Sequence, residues 1–226
     1  MLSYVYAAAT SCQLLSSVLI ATDSNEILDL CAENGWSAMM TSPAHPSGTD
    51  RVHEVARKVK ADVYLNLQGD EPLLRREHIE ALLNLMKDPS VAVGTLKTPC
   101  TAGDMNNPNA VKVVTDNLNR ALYFSRATIP FARDEGSQPR YFKHLGFYAY
   151  RPGALEVFCS LPVGGLERVE RLEQLRFLEN GVTIKVAETP FDTIGVDTES
   201  DLHRAEKILL QRDTDDSQRL SRGREV

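Results

Sequence analysis

Four cysteines in 226 residues are too few and too scattered to staple a fold: Cys12, Cys31, Cys100 and Cys159 include no CxxC pair. That excludes a disulfide scaffold and a zinc site built from paired cysteines, and leaves thiols suited to a reducing compartment. Positive charge is also scarce. Lys and Arg number 25 against 31 Asp and Glu, and the net −6 gives no general attraction to nucleic acid or an anionic membrane. Long apolar runs are missing as well: Leu14 to Ala21 is interrupted by Ser16 and Ser17 and has no basic segment before it. Neither a spanning helix nor a secretory leader is indicated, so a cytoplasmic protein is expected. What is present, 42% hydrophobic and 25% charged residues, is ordinary globular composition. A chain of this length buries about 70% of its unfolded surface without metal or disulfide staples.

Periodicity organises the chain. Val18 to Thr22, Ser37 to Met40, Val63 to Leu67, Val91 to Thr98 and Val111 to Thr115 are short β-branched runs that read as strands. Asn25 to Glu33, Thr49 to Lys60, Arg76 to Lys87, Pro152 to Leu161, Glu167 to Asn180 and Glu199 to Arg212 carry apolar residues at spacings of three and four, the mark of helices. The alternation predicts an α/β domain over residues 1–210 with a mainly parallel sheet, and ligands in the loops beyond the strands' carboxyl ends. Gln211 to Val226, with four acidic and four basic residues among sixteen, lacks apolar periodicity and is expected to be a frayed or disordered tail.

Chemistry concentrates at two acidic strand ends. After Val63-Tyr64-Leu65-Asn66-Leu67 comes Gln68-Gly69-Asp70-Glu71-Pro72, and before the last helix comes Gly195-Val196-Asp197-Thr198. Asp70 and Asp197 could together hold Mg²⁺, which takes one or two protein carboxylates and fills its remaining positions with water and substrate oxygens. Each is equally a turn or cap residue on its own. Lys112 to Lys143 holds six basic residues against three acids, and within it Arg126 and Arg133 offer guanidinium forks for a carboxylate or phosphate. In the run His144 to Tyr150, a period of two puts His144, Gly146 and Tyr148 on one face. Glu170 and Gln174 share a helix face, with Glu173 beside them.

Together these segments resemble the 3-deoxy-manno-octulosonate cytidylyltransferases, the CMP-Kdo synthetases. The likeness rests on His45-Pro46-Ser47-Gly48-Thr49-Asp50-Arg51, Gln68 to Pro72, Asn107 to Val114, Ala121 to Pro130, His144 to Tyr150, Leu172 to Arg176 and Gly195 to Thr198, in that order, from about Met1 to Leu210. The resemblance implies a three-layer nucleotide-sugar-transferase-like α/β fold with a mainly parallel mixed sheet. It also implies a reaction in which the anomeric hydroxyl of Kdo attacks the α-phosphorus of CTP, giving CMP-Kdo and pyrophosphate for lipopolysaccharide synthesis. By position it implies Asp70 and Asp197 as Mg²⁺ ligands and catalytic residues. Gln68, Arg126, Arg133, His144, Tyr148, Glu173 and Gln174 fall in the sugar-acid pocket, Ser47, Gly48 and Arg51 in the nucleotide pocket, and a homodimer is expected.

One part of the family pattern has no counterpart. Family chains open with a β-strand and a basic loop, Arg-x-x-Ser-x-Arg-x-Pro-x-Lys, that wraps the triphosphate, whereas Met1 to Tyr6 align with the helix after it. Roughly 25 to 30 residues, including a central strand, are therefore expected to be missing, and the chain as it stands to have little or no activity. Two further readings follow: a non-catalytic Kdo-binding or dimer-partner protein, and a synthetase for a related acid sugar such as 8-amino Kdo.

Overall fold

Helix starts follow local chemistry. Ser24 precedes a helix and accepts a hydrogen bond from the Ile27 amide, while Ser47 precedes another and accepts one from the Asp50 amide. The computed structural model describes residues 1–134 and 136–222, the last ten as helical backbone alone. In chain order the elements are α1 (Leu2–Thr10), β1 (Ile20–Thr22), α2 (Asn25–Asn34), β2 (Ala38–Met40), α3 (Gly48–Lys58), β3 (Tyr64–Asn66), α4 (Arg76–Leu85), β4 (Val93–Pro99) and α5 (Ala102–Met105). They continue with β5 (Lys112–Thr115), β6 (Ala121–Ser125), β7 (Phe142–Tyr150), α6 (Pro152–Ser160), α7 (Gly165–Glu170), α8 (Leu175–Glu179), β8 (Ile184–Glu188) and α9 (Glu199–Arg222).

The sheet is mixed. β7 runs antiparallel to β3, β4 and β5, and β4 pairs in parallel with β8, so β3, β4, β5 and β8 share one direction, against which β7 and β6 run. Most strands are parallel in direction, as expected, yet most hydrogen-bonded pairs are antiparallel because β7 sits among them. β1 and β2 form a separate parallel pair. Alternate residues of β7 enter two cores. Leu145, Phe147 and Ala149 pack with Val5, Ile79 and Leu82 under α1 and α4, while Tyr148 and Tyr150 pack with Leu155, Phe158 and Phe177 of α6 and α8. This is the three-layer arrangement, and burying each such side chain contributes about 1.5–3 kcal/mol.

The structure differs from the periodic reading in several places. The single helix expected over Glu167–Asn180 is two, because Arg171 turns left-handed at φ 56° and ends α7. A buried ion pair joins the halves: Arg176 donates to Glu167 at 2.6 and 2.8 Å, with its guanidinium 4.0 Å from the Phe158 ring centroid. α9 carries on to Arg222, so much of the expected tail is helical, and residues 223–226 lie outside the described residues. Among the described residues β1 bonds only to β2 and β3 only to β7. A cavity of about 740 Å³ lies between them, walled lengthwise by the segments Leu14 to Ala21 and Lys60 to Gly69 and flanked by α1 and α3.

Candidate active site

The carboxyl end of β3 is where the acidic residues meet. Gln68 to Pro72 turns away from the strand, and the amide of Val196 donates to the carbonyl oxygen of Asp70 at 3.0 Å, bringing the loop that carries Asp197 alongside. Desolvation lifts the Asp70 carboxyl above its ordinary range, and the negative charge of Asp197 adds to this. Among the described residues no cluster of three or more His, Cys, Asp or Glu side chains is placed to hold a metal. Two exposed, mutually repelling carboxylates nonetheless fit Mg²⁺, which needs no closed protein cage. Next to them Glu71 is buried, its carboxyl pushed up to about 7 by that burial. A Cβ placed on Gly146 would lie 2.8 Å from Glu71 Oε1, so only glycine admits that carboxyl to β7.

A second group gathers at the start of α3. Thr49, fully buried, donates from its hydroxyl to Glu173 Oε1 at 2.9 Å and lies 3.0 Å from the Tyr150 hydroxyl. Glu173 therefore sits at the amino end of α3, where the helix dipole favours an anion. Burial still holds its carboxyl above the usual range, and Oε2 lacks a hydrogen-bond partner among the described residues. Gln174 is buried beside it. Ser47 is occupied in capping and also donates to Asp50 at 2.6 Å. A Cβ on Gly48 would stand 3.3 Å from Asn66 Nδ2 and 3.8 Å from Gln68 Nε2, so two amides from one face of β3 converge over bare backbone. Gln68 in turn reaches the Gly146 carbonyl at 3.5 Å.

The side chains of β7 alternate as expected, but a bulge shifts its pairing with β4: Thr95 opposes Tyr148 while Leu96 opposes Leu145. His144 and Tyr148 still lie side by side, with ring centroids 5.4 Å apart. Thr95 fills the bulge, its hydroxyl 3.0 Å from His144 Nε2 and donating to the Phe147 carbonyl at 2.8 Å. Burial pushes the His144 imidazole down to about 3, so the ring is neutral at ordinary pH. The Tyr148 hydroxyl is buried without a hydrogen-bond partner among the described residues.

The basic residues divide. Arg126 is engaged with backbone, donating to the carbonyls of Glu170 at 2.8 Å, Pro108 at 2.9 Å and Arg171 at 3.5 Å, and it clamps two loops together. Arg133 is exposed on the loop after β6. Arg51 bonds Asp23 at 3.1 Å and Thr41, joining α3 to the carboxyl ends of β1 and β2, and its guanidinium holds the Asp23 carboxyl below the usual range. The structure thus unites Gln68, Gly48, Ser47, Glu173, Gln174, Tyr148 and His144 around β3 and β7, with Asp70 and Asp197 at one end. Arg51 lies on α3 just beyond Gly48, Arg126 is taken up by backbone carbonyls, and Arg133 is exposed on its loop. Sequence reasoning passed over Asn66, Thr49, Thr95 and Tyr150. A period of two along Tyr64 to Gln68 places Asn66 on the same face as Gln68, and Thr49 lies inside the Ser47 to Arg51 motif.

The chain has counterparts among known proteins. The cytidylyltransferase family model matches residues 1–184. The 3-deoxy-manno-octulosonate cytidylyltransferase of Koribacter versatilis (strain Ellin345) is 64% identical over 94% of this chain and 81% of its own length. Its counterpart in Acidobacterium capsulatum is 53% identical over 94% and 86%. A solved structure of a CMP:2-keto-3-deoxy-manno-octonic acid synthetase complexed with CTP superposes with a TM-score of 0.88, at 40% identity, over 93% of this chain and 88% of that one. The chain belongs to the cytidylyltransferase family, among the 3-deoxy-manno-octulosonate cytidylyltransferases.

Proposed function

We propose that the protein transfers CMP from CTP to the anomeric hydroxyl of Kdo, releasing pyrophosphate. The observation that carries this reading is the meeting of Asp70 and Asp197 at the carboxyl end of β3, beside a pocket of amides, a neutral imidazole and an unengaged phenol. Asp70 and Asp197 would hold Mg²⁺, which supplies charge neutralisation at the phosphate oxygens and acidifies a bound hydroxyl. The remaining work is binding and orientation by the chain itself. Gln68 and Tyr148 present hydrogen-bonding groups to the sugar acid, and His144 does so as a neutral ring, not as a cation. Arg133 offers its charge to a carboxylate. Arg126 keeps the pocket's loops together. Gly48 admits the nucleotide close to backbone, with Ser47 and Arg51 framing that side.

The cavity between β1 and β3 supports the expectation that an additional central strand belongs there, because two strand edges unpaired among the described residues flank it and α1 and α3 line it. The four free cysteines support a cytoplasmic location, and among the described residues no helix is long and apolar enough to cross a membrane. A homodimer belongs to the same reading. The relatives' names give no support to the non-catalytic reading, and 8-amino Kdo remains a competing substrate for the assay. That assay is pyrophosphate release from CTP and Mg²⁺ with Kdo or 8-amino Kdo, by this chain and by a version extended with a strand and basic loop of the family pattern. Release by the extended version, dependent on Kdo and abolished there by Asp70→Asn or Asp197→Asn, is expected. Normal turnover in either variant removes that carboxylate from the site, and turnover by the unextended chain overturns the need for the added loop.

A further inference from the structure

Asp70 and Asp197 lie on separate loops that meet at the bond from the Val196 amide to the Asp70 carbonyl, so beyond that bond their separation depends on what anchors each loop. The segment between β8 and α9 that bears Asp197 has neither strand nor helix. Its firmest side-chain anchor is Lys143 of β7, whose ammonium donates to Asp192 Oδ1 at 2.8 Å and to the Thr193 carbonyl at 2.7 Å and lies 3.9 Å from Asp104 Oδ1. An ammonium has three protons, and three oxygens surround this one. The side chain is only 12% exposed, so these contacts work in a partly desolvated setting where charge-assisted hydrogen bonds are strong. On the same strand Gly146 receives the Glu71 carboxyl, and Glu71 directly follows Asp70. One rigid strand therefore grips both loops.

We propose that Lys143 is a positioning residue for the divalent-cation pair: it fixes the 192–193 turn to β7, the strand that also seats Glu71, and so sets the spacing of Asp197 from Asp70. The inference rests on the reading that these two carboxylates hold the cation. Nothing in it requires Lys143 to touch substrate or metal.

The test is Mn²⁺ binding to the whole chain without substrates, followed by electron paramagnetic resonance of the free ion, alongside urea unfolding. Measurements are made where every variant is folded, so a residue that only supports the fold shifts the urea midpoint and leaves the Mn²⁺ dissociation constant alone. Asp70→Asn is expected to abolish binding. Lys143→Met is expected to weaken it about tenfold or more, the usual effect of losing a group that orients a ligand, and Lys143→Arg to retain most of it. Asp192→Ala, at a more exposed position, is expected to weaken binding less and serves if Lys143→Met does not fold. If Asp70→Asn abolishes binding while Lys143→Met and Asp192→Ala leave it unchanged, the positioning role is wrong and the metal pair stands. If Mn²⁺ does not bind, or Asp70→Asn leaves binding intact, the metal pair itself fails and the positioning role with it.

Discussion

His144 makes the stability of this fold depend on pH in a direction that can be worked out. Its ring is buried against Thr95, Phe124 and Tyr148, and burial pushes its pKa from 6.5 to about 3. In the unfolded chain the ring takes up a proton below about pH 6.5, whereas in the folded chain it does not until about pH 3. The unfolded state binds more protons throughout that window, so stability falls as pH falls. Between about pH 7 and about pH 5 the loss is about 2 kcal/mol. Glu71 works the other way: with its carboxyl pushed from 4.5 to about 7, the folded chain keeps a proton that the unfolded chain releases, and acidification favours folding. The wild-type profile therefore mixes two opposed slopes. The informative quantity is the difference between wild type and His144→Gln, measured by urea unfolding with circular dichroism across this range. That difference should shrink by about 2 kcal/mol on going to the lower pH. A difference that stays constant would show that His144 is not held neutral by its surroundings.

Two other perturbations test the packing. Arg176→Met strands the Glu167 carboxylate in the core and should cost about 3–5 kcal/mol, read as a lower urea midpoint; converting Glu167 to Met as well should recover most of it, and no recovery would remove the stranded charge as the cause. Gly146→Ala forces a Cβ to within 2.8 Å of Glu71 Oε1 and should cost about 1–3 kcal/mol. Shortening Glu71 to Ala in the same chain should relieve that cost, and a Gly146→Ala protein as stable as wild type would mean the seat is slack.

The long elements were legible because their signals are local. The helices α2, α3 and α6 start where Ser24, Ser47 or Pro152 opens an apolar period, α4 shows the period without such a cap, and the structure moves the ends of all four by only a residue or two. β6 and β8 went unassigned. β6 pairs with the neighbouring β5 but its side chains alternate poorly between buried and exposed, whereas β8 alternates yet becomes a strand only through β4, far back along the chain. The break at Arg171 was invisible for a similar reason, since nothing in the apolar spacing of Glu167 to Asn180 reports a left-handed residue. At the site, the carboxylates and the Ser47 to Arg51 motif stand out because polar residues at strand ends and helix starts call for explanation. Lys143, Thr95 and Glu173's bond to Thr49 do not, because each gains meaning only from partner atoms far away along the chain.

The open side of β3 gives one strand two kinds of amide. Those bonded to β7 are locked into the centre of the sheet and exchange their protons with solvent only when that sheet opens. Those facing the cavity have no strand beyond them among the described residues and exchange as fast as water reaches the slot. In deuterium exchange, β3 should therefore show alternating fast and slow positions, and any extended segment that comes to lie beside it should convert the fast set into the slow one.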